Sequence, residues 1–184
     1  VADDHLGAHH DRPPLHRRAV ADVQVVLGGE AAGELPQADA VPAREQGGVP
    51  HRAQARALIL ENGFGGFTPD GREYVITTGE GQQTPAPWSN VLANAQFGTV
   101  VSEGGQAYTW SENAHEFRLT PWQNDPVSDL SGEAFYVRDE QTGQFWSPSA
   151  LPARGSGDYV TRHGFGYSIF EHSEGGIATE LCTY

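Results

Sequence analysis

All 18 aromatic residues of this 184-residue chain lie at Phe64 or later, and that asymmetry limits where a packed core can form. Each aromatic side chain buries roughly 150–250 Å² and dominates core energetics. Residues 1–57 are built instead from Ala, Gly, Pro, Arg, Asp and His with scattered Val and Leu. Ordering a backbone costs about 1–2 kcal/mol per residue, and such a segment has too little apolar surface to offset it. Residues 1–57 are therefore expected to be poorly ordered or non-native sequence, and residues 58–184 to hold the domain. Within the first segment only Ala19–Leu27 is apolar enough for a short helix or strand, ended by Gly28 and Gly29. His5, His9, His10 and His16 are not read as a metal site, because Pro13, Pro14 and the nearby Gly and Ala supply no element to fix their geometry.

The formal charge is −13, from 24 acidic and 11 basic residues. A protein that grips phosphate backbones needs a basic face, so nucleic acid is not expected as a partner. No run approaches the roughly 18 apolar residues that span a bilayer, and no membrane contact is expected of this chain. Cys182 is the single cysteine, so no intrachain disulfide and no cysteine-based metal site can form. A reduced, cytoplasmic setting is the expectation, and neither a metal nor a cofactor is implied. Met and Lys are both absent, every basic residue being Arg. An open reading frame begins with Met, so the chain reads as a piece of something longer.

From Leu58 onward, short β-branched and aromatic runs alternate with Gly, Pro, Asp and Asn clusters, which is an all-β pattern. Strands are expected at Arg72–Ile76, Phe97–Val101, Gln106–Trp110, Glu133–Arg138, Gln144–Ser147, Asp158–His163, Tyr167–His172 and Ile177–Cys182. Reversals are expected at Pro69-Asp70-Gly71, Gly104-Gly105, Asp139 to Gly143 and Gly164 to Gly166. The fold class is thus an antiparallel β-sandwich. In Tyr167–His172 neither alternating face is purely polar, so that strand is expected to be covered on both sides. The run Asn62 to Phe67 superficially matches a phosphate-cradling glycine loop, but Thr68-Pro69-Asp70-Gly71 follows where a helix is required. A backbone-crowded turn is the better use of those glycines.

The stretch Tyr108–Asp129 concentrates the chemistry, starting as a strand and running into a long loop. Trp110, Trp122, Asn113, Arg118 and Asp125 combine flat apolar faces with planar hydrogen-bonding groups. Sugar rings need that combination, because their C–H faces stack on indole while their hydroxyls seek donors and acceptors. Equally, both tryptophans could be core anchors and the polar groups loop ties. Two carboxylate pairs, Glu112 with Glu116 and Asp125 with Asp129, have the residue types of glycoside cleavage, which needs carboxyl groups roughly 5–10 Å apart. Spacing in sequence does not establish that distance, and no catalytic residue is assigned. His163 is expected to be a strand-end histidine bonded to backbone, and Cys182 a small core residue.

Taken together, NGFGGFTPDGREYVI, TPAPWSNVLANAQFG, YTWSENAHEFRLTPWQNDPVSD, FYVRDEQTGQFWSP and YVTRHGFGYSIFEH resemble the glycoside phosphorylase family that includes cellobiose and chitobiose phosphorylases. The likeness runs in order over about 62–182 and is strongest to the C-terminal part of cyclic β-1,2-glucan synthases. Pro121-Trp122-Gln123-Asn124-Asp125-Pro126 stands where the disaccharide phosphorylases carry more basic residues, which favours the glucan-synthase branch. The resemblance implies part of an N-terminal supersandwich that packs on a helical (α/α)₆ barrel, the barrel carrying the proton donor and phosphate site of an inverting phosphorolysis. This chain would then be a truncated sandwich whose parent enzyme sits in the cytoplasm or at the inner membrane. Its implied partners are a β-glucan or oligosaccharide and the missing barrel, with a homodimer expected through an exposed strand edge. Trp110, Asn113, Arg118, Trp122 and Asp125 would shape the substrate opening. The rival reading is a free-standing carbohydrate-binding module that uses Trp110 and Trp122 as its platform; a poorly folding fragment is the third.

Overall fold

The computed structural model describes residues 56–122, 125, 127–129 and 132–184 together with the backbone of Gln24–Leu27. The four N-terminal histidines, Asn124 and nearly all of residues 1–57 lie outside these. The described strands are β1 (Gln24–Leu27), β2 (Gly65–Phe67), β3 (Glu73–Thr78), β4 (Ser89–Ala93), β5 (Phe97–Ser102), β6 (Ala107–Ser111), β7 (Glu133–Arg138), β8 (Phe145–Trp146), β9 (Tyr159–Gly164), β10 (Tyr167–Glu174) and β11 (Ile177–Thr183). Every pairing is antiparallel. They form a five-stranded sheet, β11-β10-β9-β3-β2, and two three-stranded sheets, β4-β5-β6 and β1-β7-β8. Among the described residues there is no helix, so the fold is all-β as expected.

Each of the eight expected strands is present within one or two residues of its expected bounds, because each is a β-branched or aromatic run bounded by turn residues. The apolar run Ala19–Leu27 contains β1, which pairs with β7. Turn chemistry also holds. Gly71 (φ 69°) donates its N–H to the Thr68 carbonyl at 2.8 Å, and Gly105 (φ 83°) donates to the Ser102 carbonyl at 3.0 Å. The Asp139–Gly143 hairpin closes with Asp139 N–H on the Gln144 carbonyl at 2.8 Å.

Two strands are additional to the expectation. β4 reads Ser-Asn-Val-Leu-Ala and buries only Leu92, so its pattern is weak. β2 falls inside the glycine run. Asn62 Oδ1 accepts the N–H groups of Phe64 and Gly65, both at 3.1 Å, which makes the crowded turn. Gly65 and Gly66 then continue as strand against Ile76 and Val75. A Cβ on Gly65 would stand 2.1 Å from the Val75 carbonyl oxygen, so close approach is what excludes a side chain there.

The sandwich core lies between the five-stranded sheet and β4-β5-β6. Leu92, Val101 and Phe170 form it, with Ala107 and Leu181 packed against them. On β10 the inward face is Ser168, Phe170 and His172, all at most 4% exposed. Its other face, Tyr167, Ile169 and Glu171, is only half-buried, so the strand is covered fully on one side, not both. The second face is closed by charge. Arg162 reaches Glu73 at 2.8 Å and Glu171 at 2.9 Å, and Arg56 holds Glu171 from the other side at 2.8 Å. Burial would pull the Arg162 guanidinium down, but the hydrogen bonds and charges of Glu73 and Glu171 outweigh it and hold it above its ordinary value.

A polar corner ties the two sheets together. Asn90 Nδ2 on β4 donates to the carbonyls of Gly164 (3.0 Å) and Tyr167 (2.9 Å), with Ser168 Oγ at 3.2 Å. His163 Nε2 lies 3.0 Å from the Trp88 carbonyl and Nδ1 lies 2.9 Å from Ser168 Oγ. A carbonyl can only accept, so Nε2 carries the proton and Nδ1 accepts from Ser168. Burial holds the His163 pKa below its ordinary value and keeps the ring neutral. His163 is thus backbone-bonded, as its sequence context suggested.

Replacing Gly65 with Ala is expected to cost about 1–3 kcal/mol, because the clash is with backbone that cannot rotate away. Denaturant unfolding, with an unchanged m-value and a lowered midpoint, checks it.

Candidate functional site

The outer face of β4-β5-β6, turned away from the sandwich core, carries the candidate site. Tyr108 and Trp110 alternate onto this face of β6. Beyond Ser111 the chain turns sharply: Glu112 sits at φ 57°, and Asn113 Oδ1 accepts the N–H groups of His115 (2.8 Å) and Glu116 (3.0 Å). The chain then returns alongside β6. Ser111 N–H donates to Phe117 O, and Leu119 N–H donates to Thr109 O at 2.8 Å. Thr120 Oγ1 anchors the return by accepting from Thr109 N–H and donating to Glu133, each at 2.8 Å. Pro121 follows, fitting against Gly132, where a Cβ would meet the proline ring at 2.3 Å.

This return lays Trp122 over Tyr108, ring centroids 5.0 Å apart and planes 13° apart. Tyr108 in turn tilts against Trp110 at 5.4 Å, and the Arg118 guanidinium lies 5.4 Å above the Trp122 ring. The four side chains stack in a ladder, Trp110–Tyr108–Trp122–Arg118. Trp110 is 9% exposed and its ring lies on Gly98, where a Cβ would stand 2.2 Å from it. Trp122 remains 43% exposed.

Beside the ladder is a groove of about 450 Å³ whose lining includes Ser89, Ser102, Gln106, Tyr108, Trp122, Asp125, Ser128 and Asp129. Of the residues singled out from the sequence, Trp122, Asp125 and Asp129 line it. Trp110 is packed beneath, Asn113 caps the turn, and Arg118 covers Trp122 while donating to the Ala114 carbonyl at 3.2 Å. Glu112 and Glu116 are exposed and outside the groove, Glu116 pairing with His115 at 2.7 Å. Cys182 is exposed rather than core, because odd and even positions of β11 alternate and it falls on the outward set. Among the described residues no group of three or more His, Cys, Asp or Glu could hold a metal. No described helix is long and apolar enough to cross a membrane.

The two aspartates of the groove differ in environment. Asp125 is at the surface, and the N–H groups of Ser128 and Val127 donate to it at 3.0 and 2.9 Å, holding its pKa below the usual carboxylate value. Asp129 is pushed up to about 6, chiefly by burial, with Ser102 donating at 2.5 Å in the opposing direction and the nearby Glu103 charge adding to the rise. One carboxylate is therefore always an acceptor near neutrality, while the other holds a proton below about pH 6. Gly104 admits Asp129 to this position, a Cβ there meeting Oδ2 at 2.8 Å. Gln106 was not distinguished in the sequence, and neither were Ser102 and Ser128. Nothing in their local pattern marks them, since their importance comes from the loop that folds over them.

Residues 72–184 match the family described as glycosyl hydrolase 94, supersandwich domain. Over 114 residues the chain is 50% identical to cyclic beta-(1,2)-glucan synthase NdvB of Rhizobium meliloti (strain 1021), covering 61% of this chain and 4% of that protein. It is 38% identical over 117 residues to N,N'-diacetylchitobiose phosphorylase of Vibrio furnissii, covering 62% and 14%. Against solabiose phosphorylase of Paenibacillus borealis it is 37% identical over 122 residues, covering 63% and 15%. The chain thus spans a small part of the length of the curated relatives it matches.

Asp129 binds its proton more tightly in the folded state than at its ordinary 3.8. The stability this contributes is full below about pH 4 and is lost as pH rises through about 6. Asp129→Asn is expected to raise the melting temperature at pH 8, by the equivalent of ~1–2 kcal/mol after discounting for partial exposure, and to leave it little changed at pH 4. Thermal melts of both proteins across that range check the sign.

Proposed function

Since the chain belongs to the glycosyl hydrolase 94 supersandwich-domain family, we propose that it is the β-sandwich scaffold of a β-glucan-processing synthase or phosphorylase. In this reading it packs against a catalytic (α/α)₆ barrel that supplies the proton donor and phosphate site. The observation that carries it is how the motif residues are used. Asn90 of PWSN and His163 and Ser168 of RHGFGYS are spent joining two sheets, and Arg162 closes the outer face. Groups committed in this way build a rigid platform and are not free to turn over substrate. A cytoplasmic setting and a β-glucan or oligosaccharide as the partner of the complete enzyme belong to the same proposal, as does the division of the chain at about residue 57.

The second reading, a carbohydrate-binding module on Trp110 and Trp122, is favoured by the exposure of Trp122. Trp110 contributes nothing to such a platform while it is packed on Gly98. Self-association is also proposed: β11 is seven residues long and, among the described residues, pairs only with β10. Such an edge is a template for a further strand.

Two measurements test these statements. Incubated with inorganic phosphate and β-1,2-glucan, the purified chain is expected to release no glucose 1-phosphate above a no-protein blank, and clear turnover would overturn the scaffold reading. In sedimentation velocity the chain is expected to show concentration-dependent association; a single monomeric species at all loadings would remove the edge-pairing proposal.

A further inference from the structure

Four buried side-chain nitrogens among the described residues have no hydrogen-bond partner: Gln106 Nε2, Trp146 Nε1, Arg154 Nε and His172 Nε2. Of these residues only Gln106 lines the groove beside the aromatic ladder, and it is 7% exposed. Leaving a buried amide donor unpaired is costly, and a position that retains one next to a cavity points to something that enters the cavity and accepts from it.

The chemistry of the lining narrows what enters. Ser89, Ser102 and Ser128 each offer a hydroxyl that both donates and accepts, Gln106 offers an amide, and Asp125 and Asp129 offer acceptors. That mixed set matches a ring bearing several hydroxyls. Among the described residues no Arg, Lys or His lines the groove, and the Glu103 charge adds to that of Asp129, so the charges lining it repel a phosphorylated ligand. A simple cation is disfavoured for the opposite reason, because the unpaired group is a donor. The volume of about 450 Å³ falls within the range of small-molecule sites, roughly 300–1,000 Å³. Stacking on the indole is not what the proposal relies on. Tyr108 stacks on Trp122 and Arg118 lies over the same ring, so the indole is already engaged by this chain's own side chains.

We propose that this groove is a binding site for a single neutral glycosyl unit of an oligosaccharide. Gln106, with its amide turned so that Nε2 faces the groove, donates to one ring hydroxyl, Asp129 accepts from another, and Trp122 borders the open side. It is a binding site away from the reaction, with no catalytic step assigned to it, and it discriminates against sugar phosphates by charge. The proposal depends on the family reading for its choice of sugar probe alone.

Calorimetric titration of the whole chain at pH 7.5 tests it, using a β-1,2-linked glucotetraose and, separately, glucose 1-phosphate. Saturable binding of the tetraose is expected, with glucose 1-phosphate at least tenfold weaker. Gln106→Leu is expected to weaken the tetraose at least tenfold while its melting temperature stays the same or rises, since an unpaired buried amide has been removed. Trp122→Ala, at an exposed loop position, is expected to weaken it by a smaller factor. The proposal is overturned if the tetraose fails to saturate, if glucose 1-phosphate binds as tightly, if Gln106→Leu binds like the parent, or if Gln106→Leu melts lower, which would make the amide a structural group. A failure here leaves the scaffold reading standing, because that reading is decided by the phosphorolysis assay.

Discussion

The contact on which the rest of this structure depends is the corner where Asn90 meets the β9–β10 turn. One carboxamide satisfies two backbone carbonyls of that turn, and the neutral His163 ring bridges Ser168 to the Trp88 carbonyl. Ser168 is fully buried and the other groups partly so, and each would be costly to leave unpaired to the extent that it is withdrawn from water. Together they specify which face of β4-β5-β6 turns toward Phe170, and they do so with directional bonds where apolar packing alone would permit sliding.

Once that face is chosen, the opposite face of the small sheet must be dealt with, and it carries Tyr108 and Trp110. The loop after β6 covers them by stacking Trp122 on Tyr108 and Arg118 on Trp122. The cover is partial. It seals Trp110 and leaves a groove beside Gln106 and Asp129. A sandwich with a loop laid over one outer face is a common arrangement for binding sites, because the scaffold sets position and the loop supplies variety. The outer face of the large sheet is managed differently, by the Arg56–Glu171–Arg162–Glu73 chain of charges. Partly buried, paired charges close a surface without making it sticky.

Much of this was legible in residue order. β7 was readable to the residue, since Glu133 to Arg138 sits between clear turn signals. β2 was not, because two glycines carry no strand propensity and are there to let Val75 and Ile59 come close. The site divides similarly. Trp122 and Asp125 could be named from an aromatic and an acid in a polar loop. Gln106 could not, as an isolated glutamine at a strand end has no pattern, and its significance is a missing partner that only three-dimensional neighbours reveal. Trp110 shows the converse: a good sugar-stacking residue on paper, it spends its ring on Gly98.

By itself the sequence determined that the chain is β from Leu58 onward, where it reverses, and that its aromatic half is where a core can be built. Those features follow from local chemistry: side-chain alternation, glycine at positive φ, and apolar supply. The tertiary structure alone decided which of two flat indoles stays accessible, which carboxylate keeps its proton, and which amide is left without a partner. Those outcomes depend on solvent exclusion and on contacts between residues far apart in the chain, and neither is encoded in spacing.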